Sequence, residues 1–265
     1  MLLKEIRFIP FSSYPPYENM AIDEYLINYY ILTKIPVLRL YSWDPAGISI
    51  GKNQDINTIN LEACLKDNVP VVRRMTGGGA IFHDKELTYS LVCSENDISD
   101  EKVSVKESFE LLNSFILKMY EKLGLKAQFA KYINKTGNPS ARAPHCFSDN
   151  EEYDIIINNK KIGGNAQYRR KKIIFQHGSI PLEKNINQGK YFSNKIIDRN
   201  FSDLDELLGR KIERGEVENN LIEAFIEKFG ADIKQHSLNK NEKNEVAKIL
   251  TLKYKGNRWN LNGEL

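Results

Sequence analysis

The chain has 265 residues, 41% of them hydrophobic and 28% charged, which suits one large domain or two small ones with a core that needs no staples. A net charge of +3 is too small to imply nucleic acid, and three cysteines (Cys64, Cys93, Cys146) without a CxxC disfavour a disulfide framework or a zinc site. No apolar run reaches the ~18 residues of a membrane span, and the first twenty residues mix charge and proline, so a cytoplasmic protein without signal peptide, membrane contact or metal is expected.

Asn19 is read as the cap of a helix opening at 19–26, with Asp23 and Glu24 in its first turn and Ile22, Leu26 and Ile27 as its apolar stripe. Past Pro36, residues 37–43 alternate as a strand, and 48–51 begin another after the Asp44-Pro45 turn. A short helix at 61–66 leads to 69–74, and a further strand covers 88–93. Val105, Phe109, Leu112, Phe115, Ile116, Met119 and Leu123 recur at threes and fours, an amphipathic helix that Gly124 ends. An irregular stretch at 131–149 comes next.

Strands at 153–157 and 160–163 meet at Asn158-Asn159, a good type I′ pair. A second hairpin joins 165–168 to 173–175, and 179–182 closes that region. Helices are read at 201–208, 217–229 and 239–252, then a tail at 253–265. This order predicts one α+β domain over 1–265, with a mainly antiparallel or mixed sheet flanked by helices and a helical part from about 190 to 265.

Three constellations carry chemistry. In Arg73-Arg74-Met75-Thr76-Gly77-Gly78-Gly79-Ala80-Ile81-Phe82-His83-Asp84, successive glycines suggest positive φ or close approach of a ligand. The arginines could hold a phosphate or carboxylate. The spacing is neither a Walker A loop nor a dinucleotide fingerprint, and His83-Asp84 is more often a turn satisfying its own backbone than a catalytic dyad. In Lys161-Ile162-Gly163-Gly164-Asn165-Ala166-Gln167, with His177-Gly178 downstream, a strand lysine beside two glycines can orient a carbonyl or phosphate, or act as a base. In Ala143-Pro144-His145-Cys146, a cysteine beside histidine in a polar loop is a nucleophile candidate, whereas Cys64 and Cys93 sit in apolar patterns. The run Arg169-Arg170-Lys171-Lys172 is either a solvated hairpin tip or a landing patch for an acidic partner.

Together with residues 19–26, 38–51 and the closing Trp259-Asn260, these motifs resemble the lipoate/octanoate transfer family, whose ligases and transferases share a fold with biotin protein ligase. The resemblance covers almost the whole chain in order. It implies a lipoate ligase-like catalytic domain without the accessory domain of large ligases. Cys146, upstream of Tyr153-Asp154 and Lys161, matches the ligase-like cysteine octanoyltransferases; Lys85-Glu86-Leu87-Thr88 also looks like the transferase, whereas Gly77-Gly78-Gly79 looks ligase-like and Asn165 stands where serine is usual.

The resemblance implies octanoyl transfer from acyl carrier protein to a lipoyl-domain lysine (H protein or E2 subunits), with Cys146 and Lys161 catalytic. Arg73, Gly77, Gly78, Gly79, His83, Gly163, Gly164, Ala166 and His177 bind substrate; the octanoyl chain needs an apolar tunnel, for which no residue list follows from sequence, with Tyr41, Val92 and Ile162 as candidate walls. No cofactor is needed in that reading, and a monomer is expected. The alternative is a lipoate–protein ligase using ATP and Mg, in which Cys146 is incidental.

Overall fold

The computed structural model describes residues 3–133, 152–184, 188–193 and 201–264. The first half runs β1 (Glu5–Tyr14), α1 (Pro16–Thr33), β2 (Val37–Trp43), β3 (Gly47–Ile50), α2 (Leu61–Lys66), β4 (Val71–Arg73), β5 (Ile81–His83), β6 (Glu86–Ser94), α3 (Glu95–Ile98) and α4 (Val105–Lys122). It continues through β7 (Gln128–Phe129), α5 (Ala130–Ile133), β8 (Ile155–Ile157), β9 (Lys160–Lys161), β10 (Gly164–Arg170), β11 (Ile173–Pro181), α6 (Leu204–Leu208), α7 (Arg214–Phe229), β12 (Asp232–Gln235), α8 (Lys240–Ile249) and α9 (Asn257–Asn262), with a π-helical turn over Leu250–Tyr254 between the last two.

Six strands form one mixed sheet in the order β10-β11-β6-β2-β1-β12. The β10, β11, β6 and β2 strands pair antiparallel, whereas β1 pairs parallel with both β2 and β12. Successive strand residues face opposite sides, so β2 and β6 serve two cores. Leu38, Leu40, Leu87, Tyr89, Leu91 and Cys93 pack with α4 and α7, where Phe115 meets Tyr89 and Phe225 edge-on. Val37, Tyr41, Trp43 and Val92 pack with α1 and with Val246, Tyr254 and Trp259 of the C-terminal segment. The small sheet β4-β3-β5 carries a third cluster that includes Ile48, Ile50 and Cys64.

The α+β architecture with a mixed sheet is as expected, and α4 keeps the expected register. Its Ser104 cap and Glu107 form a capping box. The Asn158-Asn159 turn takes positive φ at both residues, 50° and 62°.

Several expectations are corrected. Helix α1 starts before Asn19, because Pro16 occupies its first turn, where a missing N–H costs nothing. Asn19 is buried inside the helix instead. The part expected to be helical contains β12, a short polar edge strand whose place is set by pairing with β1. The expected tail contains α9. Residues 131–133 of the expected irregular stretch belong to the turn of helix α5, and its remainder to 149, with Cys146, lies outside the described residues. Among the described residues no helix is long and apolar enough to cross a membrane.

Candidate active site

Sheet register builds the site. Arg39 pairs with Ser90, Ser90 with His177 and His177 with Ala166, giving one cross-strand row; Tyr41, Thr88, Ser179 and Gly164 make the next. Cross-strand neighbours share a face, so two rows of polar groups lie beside each other on the sheet. Helix α1 supplies their counter-charge.

Asp23, fully buried on α1, accepts from Arg39 Nη1 (2.7 Å), Ser90 Oγ (2.9 Å) and Tyr41 Oη (2.9 Å). Burial pushes its carboxyl up, but the Arg39 guanidinium, the His177 ring and the Tyr41 hydroxyl together outweigh that and hold it below the usual carboxylate range. His177 Nδ1 lies 3.7 Å from Asp23 Oδ2, and its Nε2 lies 2.8 Å from Thr76 Oγ1. Burial pulls the His177 imidazole below its ordinary value.

A second buried carboxylate organises the neighbouring row. Glu86 accepts from Thr88 Oγ1 (2.5 Å), Ser179 Oγ (2.6 Å) and His83 Nδ1 (2.7 Å), and Trp43 Nε1 donates to Thr88 Oγ1 (2.8 Å). Burial pushes the Glu86 carboxyl up, and the His83 ring with the two hydroxyls more than reverses it, leaving it low. His83 Nε2 lies 2.7 Å from Ser49 Oγ. The histidine thus pairs with Glu86 across a turn rather than satisfying its own backbone.

The glycine loop is shaped from beneath. Arg74 donates to Ser49 O and Oγ, to Thr76 Oγ1, and through Nη2 to the carbonyls of Gly77 (2.7 Å) and Gly79 (2.8 Å). Burial pulls its guanidinium down to about 10. Gly78, between the two bound carbonyls, has φ 91°, a value open to glycine. Gly77, Gly78 and Gly79 are exposed, and among the described residues their N–H groups meet no acceptor. Three free amides on an exposed loop are suited to a ligand oxygen.

Arg73 is also buried, and its guanidinium donates to the carbonyls of Gly51, Lys52, Gln54, Trp259 and Leu261. Both arginines therefore spend their N–H groups on internal acceptors, in place of the phosphate or carboxylate that the sequence suggests for them.

Lys161 projects from β9, with Nζ 2.8 Å from Asp154 Oδ2 at the entry to β8. Its carbonyl accepts from Ser202 N. Gly163, at φ 67°, lies so close to β11 that a Cβ there would collide with the Ser179 carbonyl. Ser179 in turn binds Glu86. The chain Gly163–Ser179–Glu86–His83–Ser49–Arg74 thus joins the lysine hairpin to the glycine loop, and His177 joins the same loop through Thr76. Of the residues expected at the site, only Cys146 lies outside the described residues.

Some expectations separate in space. Tyr41 and Val92 belong to the core under α1, whereas Ile162 belongs to the core under α4, so these three do not wall one channel. Arg169 turns inward to Glu95 and Ser108, leaving Arg170, Lys171 and Lys172 exposed at the hairpin tip. Cys64 and Cys93 are buried as expected, and burial pushes their thiols up, that of Cys64 to about 11.

Ser49 is not singled out by sequence, and Asp23, Thr76, Glu86 and Asp154 enter the sequence reading only within longer stretches, with no site role of their own. The available signal is an acid or hydroxyl inside an otherwise apolar segment, as in the wholly buried β6 run from Glu86 to Ser94. Among the described residues no group of three His, Cys, Asp or Glu side chains could hold a metal ion.

Residues 15–226 match the lipoyl protein ligase A/B catalytic domain family. Octanoyltransferase LipM of Bacillus subtilis is 33% identical over 272 residues, covering 96% of this chain and 97% of the relative. That of Halalkalibacterium halodurans is 34% identical over 274 residues, covering 96% and 98%. The crystal structure of lipoate-protein ligase A bound with ATP shares the fold, with a TM-score of 0.81 at 22% identity, covering 99% of this chain and 100% of that one. A lipoate protein ligase of T. acidophilum with bound lipoic acid gives 0.79 at 22%, covering 97% and 99%. Fold and relatives define an enzyme of acyl transfer. The chain belongs to the lipoyl protein ligase A/B catalytic domain family.

Proposed function

We propose that this acyltransferase moves an octanoyl group from acyl carrier protein to a lysine of a lipoyl domain, through a thioester on Cys146 and without a nucleotide. The observation that carries the reading is end-to-end similarity, above 30% identity, to octanoyltransferases. The state of the other cysteines supports Cys146: both are buried with raised thiols, and a thiolate is the nucleophile. Cys146 precedes Asp154 by eight residues, a tether reaching at most about 28 Å, and Asp154 holds the Lys161 ammonium.

In the first step the Cys146 thiolate attacks the donor thioester carbonyl. The bond to the carrier sulfur breaks, and that sulfur leaves as a thiolate that takes a proton from Lys161. In the second, Lys161 recovers one proton from the acceptor ammonium, the free amine attacks the acyl-enzyme carbonyl, the amine's second proton passes to solvent as the amide forms, the bond to sulfur breaks and Cys146 is released as thiolate. The exposed amides at 77–79 receive the carbonyl oxygen as its negative charge develops. The tip formed by Arg170, Lys171 and Lys172 suits an acidic carrier.

Intact mass spectrometry after mixing with octanoyl-acyl carrier protein, without ATP, tests the reading against Cys146→Ala. A hydroxylamine-labile octanoyl adduct on the wild type alone is expected. Absence of the adduct, with acyl-adenylate formed once ATP, Mg and free acid are added, would place the chain with the ligases.

A further inference from the structure

The tail contributes to the loop that the reaction uses. Arg73 lies in β4, which among the described residues is an edge strand paired to β3 alone, so its own N–H and carbonyl face away from the sheet. Two consecutive side chains of α9 meet them: Asn260 Oδ1 accepts from Arg73 N (3.1 Å) and Trp259 Nε1 donates to Arg73 O (2.8 Å). They stand in for the missing strand.

Asn260 is fixed in turn by donating to the Tyr254 (2.6 Å) and Gly256 (3.1 Å) carbonyls. The Arg73 guanidinium binds the carbonyls of Trp259 and Leu261 on one side and those of Gly51, Lys52 and Gln54 on the other. The turn so held reaches the glycine loop directly. Lys52 N donates to Thr76 O (2.8 Å), and Gly51 packs against Gly78 so closely that a Cβ on Gly51 would collide with the Gly78 carbonyl.

We propose that Trp259 and Asn260 are positioning residues for acyl transfer, acting through Arg73 and the 51–54 turn on the shape of the 77–79 loop. The inference rests on the acyl-transfer reading above for its kinetic consequence, and on geometry alone for its structural one.

The full-length Asn260→Ala and Trp259→Phe variants test it, the second keeping an aromatic ring while removing the indole donor. Arg258→Ala, exposed on the same helix, is the control. Three readouts are taken: kcat and KM for octanoyl-acyl carrier protein, the melting temperature, and amide hydrogen exchange of the peptide spanning 76–80. Loosening of the loop is expected to speed exchange there and to lower kcat on the order of 10-fold or more, with KM changed less than about twofold, because small misplacement of reacting groups is costly.

Unchanged exchange at 76–80 overturns the proposal, and so does a lowered melting temperature with wild-type kcat below it. A wild type that transfers no octanoyl group would sink the acyl-transfer reading instead. Exchange would still decide whether α9 sets the loop.

Discussion

The His83 ring lies flat on the Trp43 indole, with centroids 3.8 Å apart and planes 9° from parallel. The indole N–H donates to Thr88, which donates to the same Glu86 that accepts from His83 Nδ1. One carboxylate thereby fixes both rings of the stack, and Ser179 ties it to β11.

Glu86→Gln should cost about 2 kcal/mol at neutral pH, since charge-assisted bonds from His83, Thr88 and Ser179 become neutral ones. Its carboxyl is low in the folded state against an ordinary value of 4.5. A depressed carboxylate contributes stability above the unfolded value and loses it as pH falls through the folded one. Denaturant unfolding of both proteins should therefore give a gap that is full at pH 7 and narrows below pH ~4.5. A gap independent of pH would show that Glu86 is not ionised in the folded protein.

His177 acts at higher pH. Burial holds its imidazole below the ordinary 6.5, so on acidification the unfolded chain takes up this proton before the folded one does. Stability from His177 is then complete above pH ~6.5 and declines below it, toward the lower folded value. His177→Gln should flatten that part of the stability curve, measured by urea unfolding from pH 7.5 to 5. An undiminished slope in the variant would assign it to another group.

The glycines should respond in a fixed order. A Cβ at Gly77 meets nothing within 4 Å, whereas one at Gly78 sits 3.0 Å from Arg74 Nη2 on a backbone at φ 91°. Gly77→Ala should melt near the wild type, and Gly78→Ala should lose about 1–2 kcal/mol from the left-handed backbone alone. Gly51→Ala should lose more, because its Cβ would run into the Gly78 main chain, which has no side-chain freedom to retreat. Thermal melts of the three variants rank them. Equal losses at Gly51 and Gly77 would contradict the close approach of the turn to the loop.

Legibility in the sequence depends on where each residue's partners lie along the chain. The α4 stripe and the Asn158-Asn159 turn are local patterns, and both are as read except that Val105, at the start of the stripe, is exposed. Asp23 reads only as a first-turn acid, because nothing nearby in sequence announces Arg39 across the sheet. Asn19 reads as a cap although Pro16 already starts the helix. The four residues of β12 carry no strand signal of their own and are strand only because β1 offers a free edge. The glycine and lysine motifs are found by spacing, yet their connection through Ser179 and Glu86 exists only in the folded register.

Lys161 allows chemistry to be separated from folding. Its main chain is bonded to β8 and to Ser202, and its Nζ binds Asp154 while the side chain keeps 29% of its exposure. Arginine at this position keeps a permanent cation for Asp154 but cannot give up a proton. Lys161→Arg should therefore fold, with a melting temperature close to the wild type. Octanoyl transfer should fall by ~10²-fold or more, the usual scale for losing a positioned acid–base group. Lys161→Ala should lose transfer as fully and also melt lower, because the half-buried pair with Asp154 is broken. Stopped-time assays of the two variants beside their melting curves distinguish these cases. Transfer by Lys161→Arg at the wild-type rate would mean that the site needs only a positive charge here, and the proton-transfer role would be withdrawn.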